Sequence, residues 1–232
     1  MVPGSNPGPG IHLVFPGVFS QEAEDLYWIF CSGYAVTSGF LIVLEGIDGS
    51  GKTTQARKLV RWLRKKGIPA RYTAEPTGSA VGRILKAMAR RRNVDPRVEA
   101  MLFAADRLIH LEKTVKPFLE RGFTVVSDRY LHSSLAYQSA SMGNRRWIEE
   151  LNRFAVKPDL AILLDVAPEV GLSRIKRKKS RFERIEFLRK VRENYLEYVE
   201  RGELVRINAE EAIEEVFSKI IGVVEEFLER RR

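Results

Sequence analysis

The sequence contains a single cysteine, Cys31, among its 232 residues. One thiol excludes an intramolecular disulfide and a cysteine-based metal site, which favours a reducing compartment and predicts a cytoplasmic protein. Long apolar runs are also missing, because none reaches the roughly 18 residues that a membrane span needs, so no membrane partner is expected. Lys and Arg are absent before Lys52. A signal peptide is therefore not expected, since such a segment begins with positive charge.

The distribution of basic residues also divides the chain. Residues 1–39 begin with a stretch rich in Gly and Pro and contain no Lys or Arg, whereas all 39 Lys and Arg residues follow. This break predicts an N-terminal extension at 1–39 and a folded domain at 40–232. We expect the extension to be disordered or absent from the natural product, which would then start near Val36 or Phe40. Its apolar residues could instead pack on the domain or on a partner.

The overall composition is that of a globular protein, with 44% hydrophobic and 30% charged residues and a net charge of +9. A basic balance fits either nucleic acid or acidic small molecules such as nucleotides. Many of the charges fall on predicted helices, where they fit a solvated surface. A charged surface with a phosphate-bearing ligand is the favoured interpretation, and no nucleic-acid partner is predicted.

A glycine-rich motif follows the first apolar run. Residues 40–44 are apolar without alternation, which is typical of a parallel strand buried on both faces. The next residues fit G-x-x-x-x-G-K-[ST], and a helical pattern follows them. In such a loop the backbone N–H groups converge on phosphates, the lysine reaches the β- and γ-phosphates, and the last hydroxyl holds Mg²⁺. The sequence therefore predicts a P-loop that binds ATP or GTP, made of Gly46, Ile47, Asp48, Gly49, Ser50, Gly51, Lys52 and Thr53.

Further apolar runs alternate with helical patterns along the chain. The predicted strands are residues 40–44, 70–74, 123–127, 160–166 and 204–207. Such alternation predicts an α/β fold, a three-layer doubly wound parallel five-stranded sheet of the P-loop type. The longest predicted helix runs from Pro96 to about Glu120 and bends near Pro117, because proline disrupts a helix interior.

Charged residues after the third strand and after the fourth extend the predicted phosphate site. Asp128 lies where a P-loop protein places a carboxylate near Mg²⁺, and the guanidinium fork of Arg129 suits a phosphate. A structural ion pair is the alternative for these two residues. The basic run within 176–183 reads either as a solvated surface or as a lid. In a lid, Arg177 or Arg181 could stabilise charge on the transferring group.

An aromatic and a basic residue share one face of the long predicted helix. Phe103 and Arg107 are four positions apart, so they point in the same direction. A ring and a guanidinium at this spacing could form a wall for a nucleobase. From spacing alone, packing in the core is the favoured interpretation.

These motifs together resemble the thymidylate kinase family of P-loop nucleoside-monophosphate kinases, across about residues 40–230. Each piece is short, but the order and the spacing of the pieces are highly specific. The matching pieces are LEGIDGSGKTT, Glu75-Pro76-Thr77, LFAADR (102–107), SDRY (127–130), SSLAYQ (133–138), PDLAILLDV (158–166) and a basic lid that ends in RFE (181–183).

The resemblance implies transfer of the γ-phosphoryl group of ATP to dTMP, with Mg²⁺, in dTTP synthesis, and it suggests a homodimer. It implies that the P-loop holds ATP, that Thr53 and Asp128 hold the metal, and that Tyr137 occupies the place of a ribose 2′-OH. The implied catalytic residues are Lys52, Arg129, Arg177 and Arg181. The implied dTMP-binding residues are Asp48, Glu75, Arg83, Lys86, Phe103, Arg107, Arg129, Ser133, Ser134, Tyr137 and Gln138.

The family divides by the position of its transition-state arginine, which lies either in the P-loop or on the lid. Gly49-Ser50 in the P-loop and the basic lid resemble the second branch. The sequence also departs from the family pattern, because the place of a second phosphate-binding arginine is taken by Lys86, with Arg83 one turn earlier. Either of these two residues could serve.

Two other functions remain open from the sequence. Another nucleotide or deoxynucleoside kinase would differ in the pocket residues Phe103, Tyr137 and Gln138. A P-loop ATPase or GTPase that acts as a switch or a nucleic-acid motor is the alternative from a different class. The guanine-specifying pattern N-K-x-D is absent from the sequence.

Overall fold

The computed structural model of the chain describes residues 39–89, 91, 94–176, 182 and 184–231. Its five strands are β1 (Leu41–Glu45), β2 (Ala70–Ala74), β3 (Thr124–Asp128), β4 (Leu160–Asp165) and β5 (Val205–Asn208). They form one sheet in the order β2-β3-β1-β4-β5, and every neighbouring pair is parallel. The predicted doubly wound five-stranded α/β fold is confirmed. Residues 1–38, Arg177, Arg181 and most of the predicted lid lie outside the described residues.

Helices connect the strands and cover both faces of the sheet. The helices are α1 (Lys52–Lys65), α2 (Ala80–Met88), α3 (Pro96–His110), α4 (Lys116–Glu120), α5 (Leu131–Met142), α6 (Arg145–Leu151), α7 (Pro168–Ser173), α8 (Ile185–Glu200) and α9 (Ile213–Glu229). None of the helices in the described part of the chain has the length and apolar character needed to cross a membrane.

The central strand β1 explains why its sequence is apolar without alternation. Its five residues are buried, with β3 on one side and β4 on the other. Ile42 and Leu44 pack into the core beneath α1 and α9, while Leu41 and Val43 pack into the core beneath α5 and α8. Each such side chain contributes about 1.5–3 kcal/mol when it is fully buried. Packing on both faces therefore holds the strand in place, and the strand fixes where the P-loop begins.

The long helix predicted over residues 96–120 contains a π-helical turn rather than a simple bend. The turn spans Leu111–Val115, and at its end the N–H of Lys116 donates to the carbonyl of Leu111, five residues earlier. The next residue, Pro117, has no N–H, and in a regular α-helix its ring would collide with the carbonyl of Lys113. Widening the helix by one residue before the proline relieves that collision and lets α4 continue.

Two shorter helices end close to the functional site. Helix α6 ends at Leu151, and the side chain of the next residue, Asn152, donates to Ile148 O and accepts from Arg107. Helix α7 ends at Ser173, next to residues 174–176.

Candidate active site

The P-loop connects β1 to α1 and depends on glycine for its shape. Gly46, Gly49 and Gly51 have φ angles of 138°, 82° and 92°, which side-chain-bearing residues rarely adopt. A Cβ on Gly49 would lie 1.9 Å from the carbonyl oxygen of Gly171 in α7, and one on Gly46 would lie 2.5 Å from that of Leu164 in β4. The loop is therefore packed backbone to backbone against β4 and α7, with no space for side chains at these two positions.

Lys52 begins α1 and is 6% exposed. Its ammonium donates to the carbonyl of Ile47 at 2.7 Å and to the hydroxyl of Ser50 at 3.3 Å, so it is held inside the loop. Burial and the neighbouring Arg129 lower the pKa of Lys52 from 10.5 to about 8. The charge is therefore poorly compensated by the protein alone, and an anion in the loop would stabilise it.

The next residue of α1 meets the end of β3. The hydroxyl of Thr53 donates to a carboxylate oxygen of Asp128. A hydroxyl and a carboxylate side by side at a phosphate loop are the oxygen ligands that Mg²⁺ takes together with substrate phosphates and water. Within the described ranges, no group of three or more His, Cys, Asp or Glu side chains could hold a metal ion. The two oxygens at Thr53 and Asp128 thus fit a magnesium ion that is bound mainly through a nucleotide.

Two cavities lie over the carboxyl ends of the strands. The P-loop cavity has a volume of about 780 Å³ and extends from the loop to residues 174–176 and 209–216. The adjacent cavity has a volume of about 380 Å³ and lies between the start of α2 and helices α3 and α5. Asp48, Glu75 and Arg129 line both cavities. Ligands in the two cavities would consequently meet across these three side chains.

Arg129 stands at the boundary between the two cavities. It is the one residue other than glycine with a positive φ, 70°, in the part of the chain that the structure describes. This conformation costs about 1–2 kcal/mol. The guanidinium donates to Asp48, to Gly46 O at 3.2 Å and to the hydroxyl of Ser133 at 3.1 Å, and it lies 5.0 Å from the centre of the Tyr137 ring. A strained residue with its charge at the junction of two cavities is typical of a functional site.

Arg129 keeps its positive charge although its side chain is partly buried. Burial acts to lower the pKa of its guanidinium, but the adjacent carboxylate of Asp48 is among the groups that raise that pKa well above its ordinary value. Burial and the charge of Asp48 also raise the pKa of the Tyr137 hydroxyl, which stays neutral. That hydroxyl accepts from the N–H of Asp48 at 3.2 Å. The P-loop, Arg129 and Tyr137 are therefore all in direct contact.

Arg107, on α3, occupies the far end of the adjacent cavity and is 1% exposed. Its guanidinium donates to Glu75 at 2.7 Å, to Tyr130 O at 2.9 Å, to the hydroxyl of Ser134 at 3.0 Å, and to Asn152. Spacing alone favoured a core position for this residue, and the structure places it both in the core and on the cavity wall. Phe103, one turn earlier, also lines the cavity.

Of the remaining residues predicted to bind the phosphoryl acceptor, all but Arg83 lie on the wall of the adjacent cavity. Lys86 lines the adjacent cavity and donates to Thr77 O at 2.8 Å. Arg83 is exposed and donates to Gly78 O at 2.8 Å, and it is not part of the wall. Other wall residues that the sequence predicted are Ser133, Ser134, Tyr137 and Gln138. Phe182 belongs to the RFE piece but was not a predicted site residue, and it closes the wall with its ring 6.0 Å from that of Tyr137.

Several buried polar residues that support the wall were missed by sequence reasoning. Asp106 accepts from the N–H and the hydroxyl of Thr77, at 2.7 and 2.6 Å, and thereby fixes the loop after β2. His110 lies 2.9 Å from the second oxygen of Glu75 and 2.6 Å from the hydroxyl of Thr73. The sequence did contain a signal for Asp106, because an acidic residue ends the otherwise apolar run LFAAD. His110 follows Arg107 by one turn, which could have suggested a shared role.

The fold and the two cavities define the class of the protein. A P-loop at the head of a doubly wound parallel sheet binds a nucleoside triphosphate. The adjacent cavity places basic groups beside that loop, so a phosphate-bearing acceptor can meet the triphosphate across Arg129. This arrangement is that of a P-loop kinase of the nucleoside-monophosphate type.

Comparison with known proteins identifies the family within this class. The sequence model of the thymidylate kinase family matches residues 44–220. A probable thymidylate kinase of Thermococcus gammatolerans is 43% identical over 201 residues, which cover 81% of this chain and 97% of that protein. One of Thermococcus onnurineus is 44% identical over 203 residues, with 82% and 99% covered. One of Methanocaldococcus jannaschii is 42% identical over 189 residues, with 81% and 96% covered.

This chain belongs to the thymidylate kinase family, as its motifs predicted. It is therefore an enzyme of the transferase class, a nucleotide-binding kinase of dTMP. The roles of its individual residues are a separate question.

Proposed function

We propose that this enzyme transfers the γ-phosphoryl group of Mg·ATP to the 5′-phosphate of dTMP and so forms dTDP for dTTP synthesis. One observation carries the proposed arrangement: Asp48, Glu75 and Arg129 line both the P-loop cavity and the adjacent cavity. Triphosphate in the first cavity and monophosphate in the second would then approach each other beside Lys52. Phosphoryl transfer depends chiefly on such positioning and on neutralisation of charge.

In the P-loop cavity, backbone N–H groups of residues 46–53 bind the phosphates of ATP. Lys52 exchanges its contacts with Ile47 and Ser50 for the β- and γ-phosphate oxygens. Thr53 and Asp128 would hold Mg²⁺, since a hydroxyl and a carboxylate are oxygen ligands that this ion takes together with phosphates. When bound, the metal neutralises charge on the phosphate oxygens. The P-loop thus orients the γ-phosphorus toward the adjacent cavity.

In the adjacent cavity, Arg129 binds the 5′-phosphate of dTMP, and Lys86 adds a second positive charge. The attacking oxygen of a monophosphate is already ionised at neutral pH, because its second pKa is about 6. No protein base is needed. A bond forms between this oxygen and the γ-phosphorus, the bond from that phosphorus to the β–γ bridging oxygen breaks, and ADP leaves with the electron pair.

The other end of the adjacent cavity holds the nucleoside. Phe103 stacks on thymine, and Arg107 lies beside the base together with Ser134 and Gln138. Tyr137 fills the place of a ribose 2′-OH and favours deoxyribose. Exclusion of one hydroxyl by an apolar wall provides only about 10²-fold selectivity or less, so discrimination should be finite.

Further positive charge for the transition state comes from the basic segment at residues 176–183, which acts as a lid. Gly49 leaves the P-loop without an arginine, and Arg177 or Arg181 takes that role. Residues 40–232 form the catalytic domain, which we place in the cytoplasm as a homodimer on family resemblance. The extension at residues 1–39 has no part in the proposed reaction.

A substrate panel tests the proposed function. Purified full-length protein with ATP and Mg²⁺ is offered dTMP, dUMP, dCMP or AMP, and the diphosphate product is separated by ion-exchange chromatography. We expect the highest kcat/KM for dTMP. Equal values for all four acceptors would contradict the specific claim. ATP hydrolysis that is stimulated by DNA and yields no nucleotide diphosphate other than ADP would favour a motor or a switch.

A further inference from the structure

A fully buried carboxylate, that of Glu45, lies at the end of β1 immediately before the P-loop. It accepts four hydrogen bonds. One oxygen accepts from the N–H of Tyr130 at 3.0 Å and from the N–H of Ser133 at 3.2 Å. The other accepts from the hydroxyl of Ser133 at 2.6 Å and from the hydroxyl of Tyr195 at 3.0 Å.

Two of these bonds make Glu45 the cap of α5. The residue at the N-cap position, Tyr130, has no side-chain hydrogen bond to the helix. Unpaired N–H groups at a helix start are costly when buried, and a negative charge beside them is favourable. Glu45 supplies both the acceptor and the charge from a different element. It thereby fixes the first turn of α5, where Ser133 lies.

The hydroxyl of Ser133 connects this cap to the phosphate-binding arginine. Its single hydrogen is directed to Glu45 at 2.6 Å, so its oxygen remains free to accept from Arg129 at 3.1 Å. The other protein partners of the Arg129 guanidinium include Asp48 and Gly46 O, which belong to the P-loop. Ser133 therefore holds the guanidinium from the start of α5, and Tyr137, whose hydroxyl accepts from Arg129 at 3.4 Å, contacts it from further along the same helix.

Tyr195 completes the network from α8. It is fully buried, and its hydroxyl lies 3.0 Å from both Glu45 and the hydroxyl of Ser133. Burial and the charge of Glu45 raise the pKa of Tyr195 well above its usual value, so the group is a neutral hydrogen-bond donor. No part of the proposed reaction uses this tyrosine, although α8 follows directly after the basic segment at 176–183.

We propose that Tyr195, acting through Glu45 and Ser133, is a positioning residue that aims Arg129 at the acceptor phosphate. Arg129 has a strained backbone, so its side chain depends on neighbouring contacts to keep one direction. Loss of the Tyr195 hydroxyl leaves Glu45 with one donor fewer and lets Ser133 turn. The proposal rests on the phosphate-binding role of Arg129 in the proposed function.

The chain contains a matched control on the same helix. Tyr198 is also buried, at 1% exposure, and lies one turn after Tyr195. Its hydroxyl lies 3.3 Å from Glu149, and its ring packs 5.3 Å from that of His132, away from both cavities. Tyr195→Phe and Tyr198→Phe each remove one buried hydroxyl from α8. A purely structural role would make the two variants alike.

The experiment compares dTMP with thymidine, which lacks the phosphate, by isothermal titration of the full-length enzyme and both variants. We expect Tyr195→Phe to weaken dTMP binding roughly five- to tenfold and thymidine binding less than twofold, since a net hydrogen bond is worth about 1 kcal/mol. In kinetics, KM for dTMP should rise while KM for ATP stays constant. Tyr198→Phe should change none of these values.

A double-mutant cycle makes the test specific. In an Arg129→Met background, Tyr195→Phe should have no further effect on dTMP binding, because the group it aims is gone. Equal weakening of dTMP and thymidine, additive effects in the cycle, or the same result for Tyr198→Phe would each overturn the proposal. Should Tyr195→Phe not fold, Ser133→Ala breaks the same path nearer to Arg129 and is expected to give the same selective loss.

The outcomes for the two proposals are separable. A wild-type enzyme without preference for dTMP contradicts the proposed function whatever Tyr195 does. A wild-type enzyme that prefers dTMP, together with a Tyr195→Phe variant that binds dTMP normally, contradicts only the positioning role.

Discussion

The adjacent cavity has two ends, and each contains an arginine with a different kind of surroundings. At the base end, Arg107 is 1% exposed and bonded on several sides by Glu75, Ser134 and other groups of the wall. At the phosphate end, the side chain of Arg129 is 16% exposed and forms an ion pair with Asp48. At the base end the protein itself binds both terminal nitrogens of the Arg107 guanidinium, although its buried Nε has no hydrogen-bond partner among the described residues, whereas the phosphate end holds a charge whose partners can be exchanged.

This difference assigns different consequences to the two residues. A buried ion pair contributes little net stability, but removing one partner leaves an uncompensated charge. Arg107 should therefore matter for folding as well as for binding. Arg129 has a strained backbone and a replaceable partner, so it should matter mainly when a phosphate is present. Three substitutions test this contrast, in order of decreasing expected effect, and two further predictions concern Lys52.

Arg107→Met is expected to lower the free energy of unfolding by about 3–5 kcal/mol, because Glu75 remains buried and loses the arginine that compensates its charge. Urea unfolding followed by circular dichroism measures this loss. The double variant Arg107→Met/Glu75→Gln is the control and should recover part of the stability. A loss below about 1 kcal/mol would mean that the base end is not held by this pair.

Arg129→Met is expected to lower kcat/KM for dTMP by about 10²–10³-fold, because a preorganised donor to the phosphate is lost. Steady-state kinetics measures the loss, and thymidine binding by titration should be nearly unchanged. Stability should not fall as it does for Arg107→Met. A variant that loses stability and thymidine binding together would show that the two ends do not differ as argued.

Lys86→Met is expected to weaken dTMP binding roughly fivefold, since an exposed cation contributes modestly to binding a phosphate. Arg83→Met is the matched control, because Arg83 lies one turn earlier on α2 and outside the cavity wall. Its effect should stay within about twofold. The reverse order of effects would assign the second phosphate contact to Arg83. Titration with dTMP and with thymidine distinguishes phosphate binding from a general disturbance.

ATP binding at pH 8 is expected to take up about half a proton per enzyme, because Lys52 has a pKa of about 8 in the free loop and is fully charged beside phosphates. Uptake should fall toward zero at pH 6, where the free group is already protonated. Titration in two buffers with different enthalpies of ionisation measures the uptake. Lys52→Met, the control, should remove it and abolish turnover.

The same lowered pKa has a consequence for stability. Below pH 8 the charged Lys52 opposes folding, and this penalty disappears as the pH rises toward 10.5, where the unfolded chain also loses the proton. Lys52→Met should therefore be at least as stable as the wild type at pH 7, with the difference shrinking at higher pH. A less stable variant would show that the ammonium supports the loop rather than straining it.

The sequence predicted the parts of the molecule whose chemistry is local. The P-loop is contiguous, so its residues, its strand and its helix could be read together, and the alternating pattern predicted the α/β class. The order β2-β3-β1-β4-β5 depends on pairings between distant strands and had no local signal. The hydrogen bond from Arg107 to Asn152, 45 positions away, likewise had no local signal.

Several side-chain contacts in the candidate site also could not be predicted from local sequence. Phe103 and Arg107 form a helical pair that spacing alone assigned to the core, and only the resemblance to a family pointed to a cavity wall. The sequence Asp-Arg-Tyr does not indicate that Arg129 has a positive φ. The contact between Glu45 and Tyr195 spans 150 positions. Such contacts arise from the packed fold, which no local pattern encodes.

The contact between the P-loop and α7 bears on how enzymes of this kind can change. A Cβ on Gly49 would lie 1.9 Å from Gly171 O, and a Cβ on Gly171 would lie 2.7 Å from Asp48 O, so the backbones of the loop and α7 leave no room for a side chain at either position. A mutational route that places an arginine at position 49 must first move α7 away from the loop. The φ of Gly49, 82°, is a second obstacle, because residues with a side chain rarely adopt it. The enzyme is thereby committed by its own backbone packing to recruit any transition-state arginine from another segment.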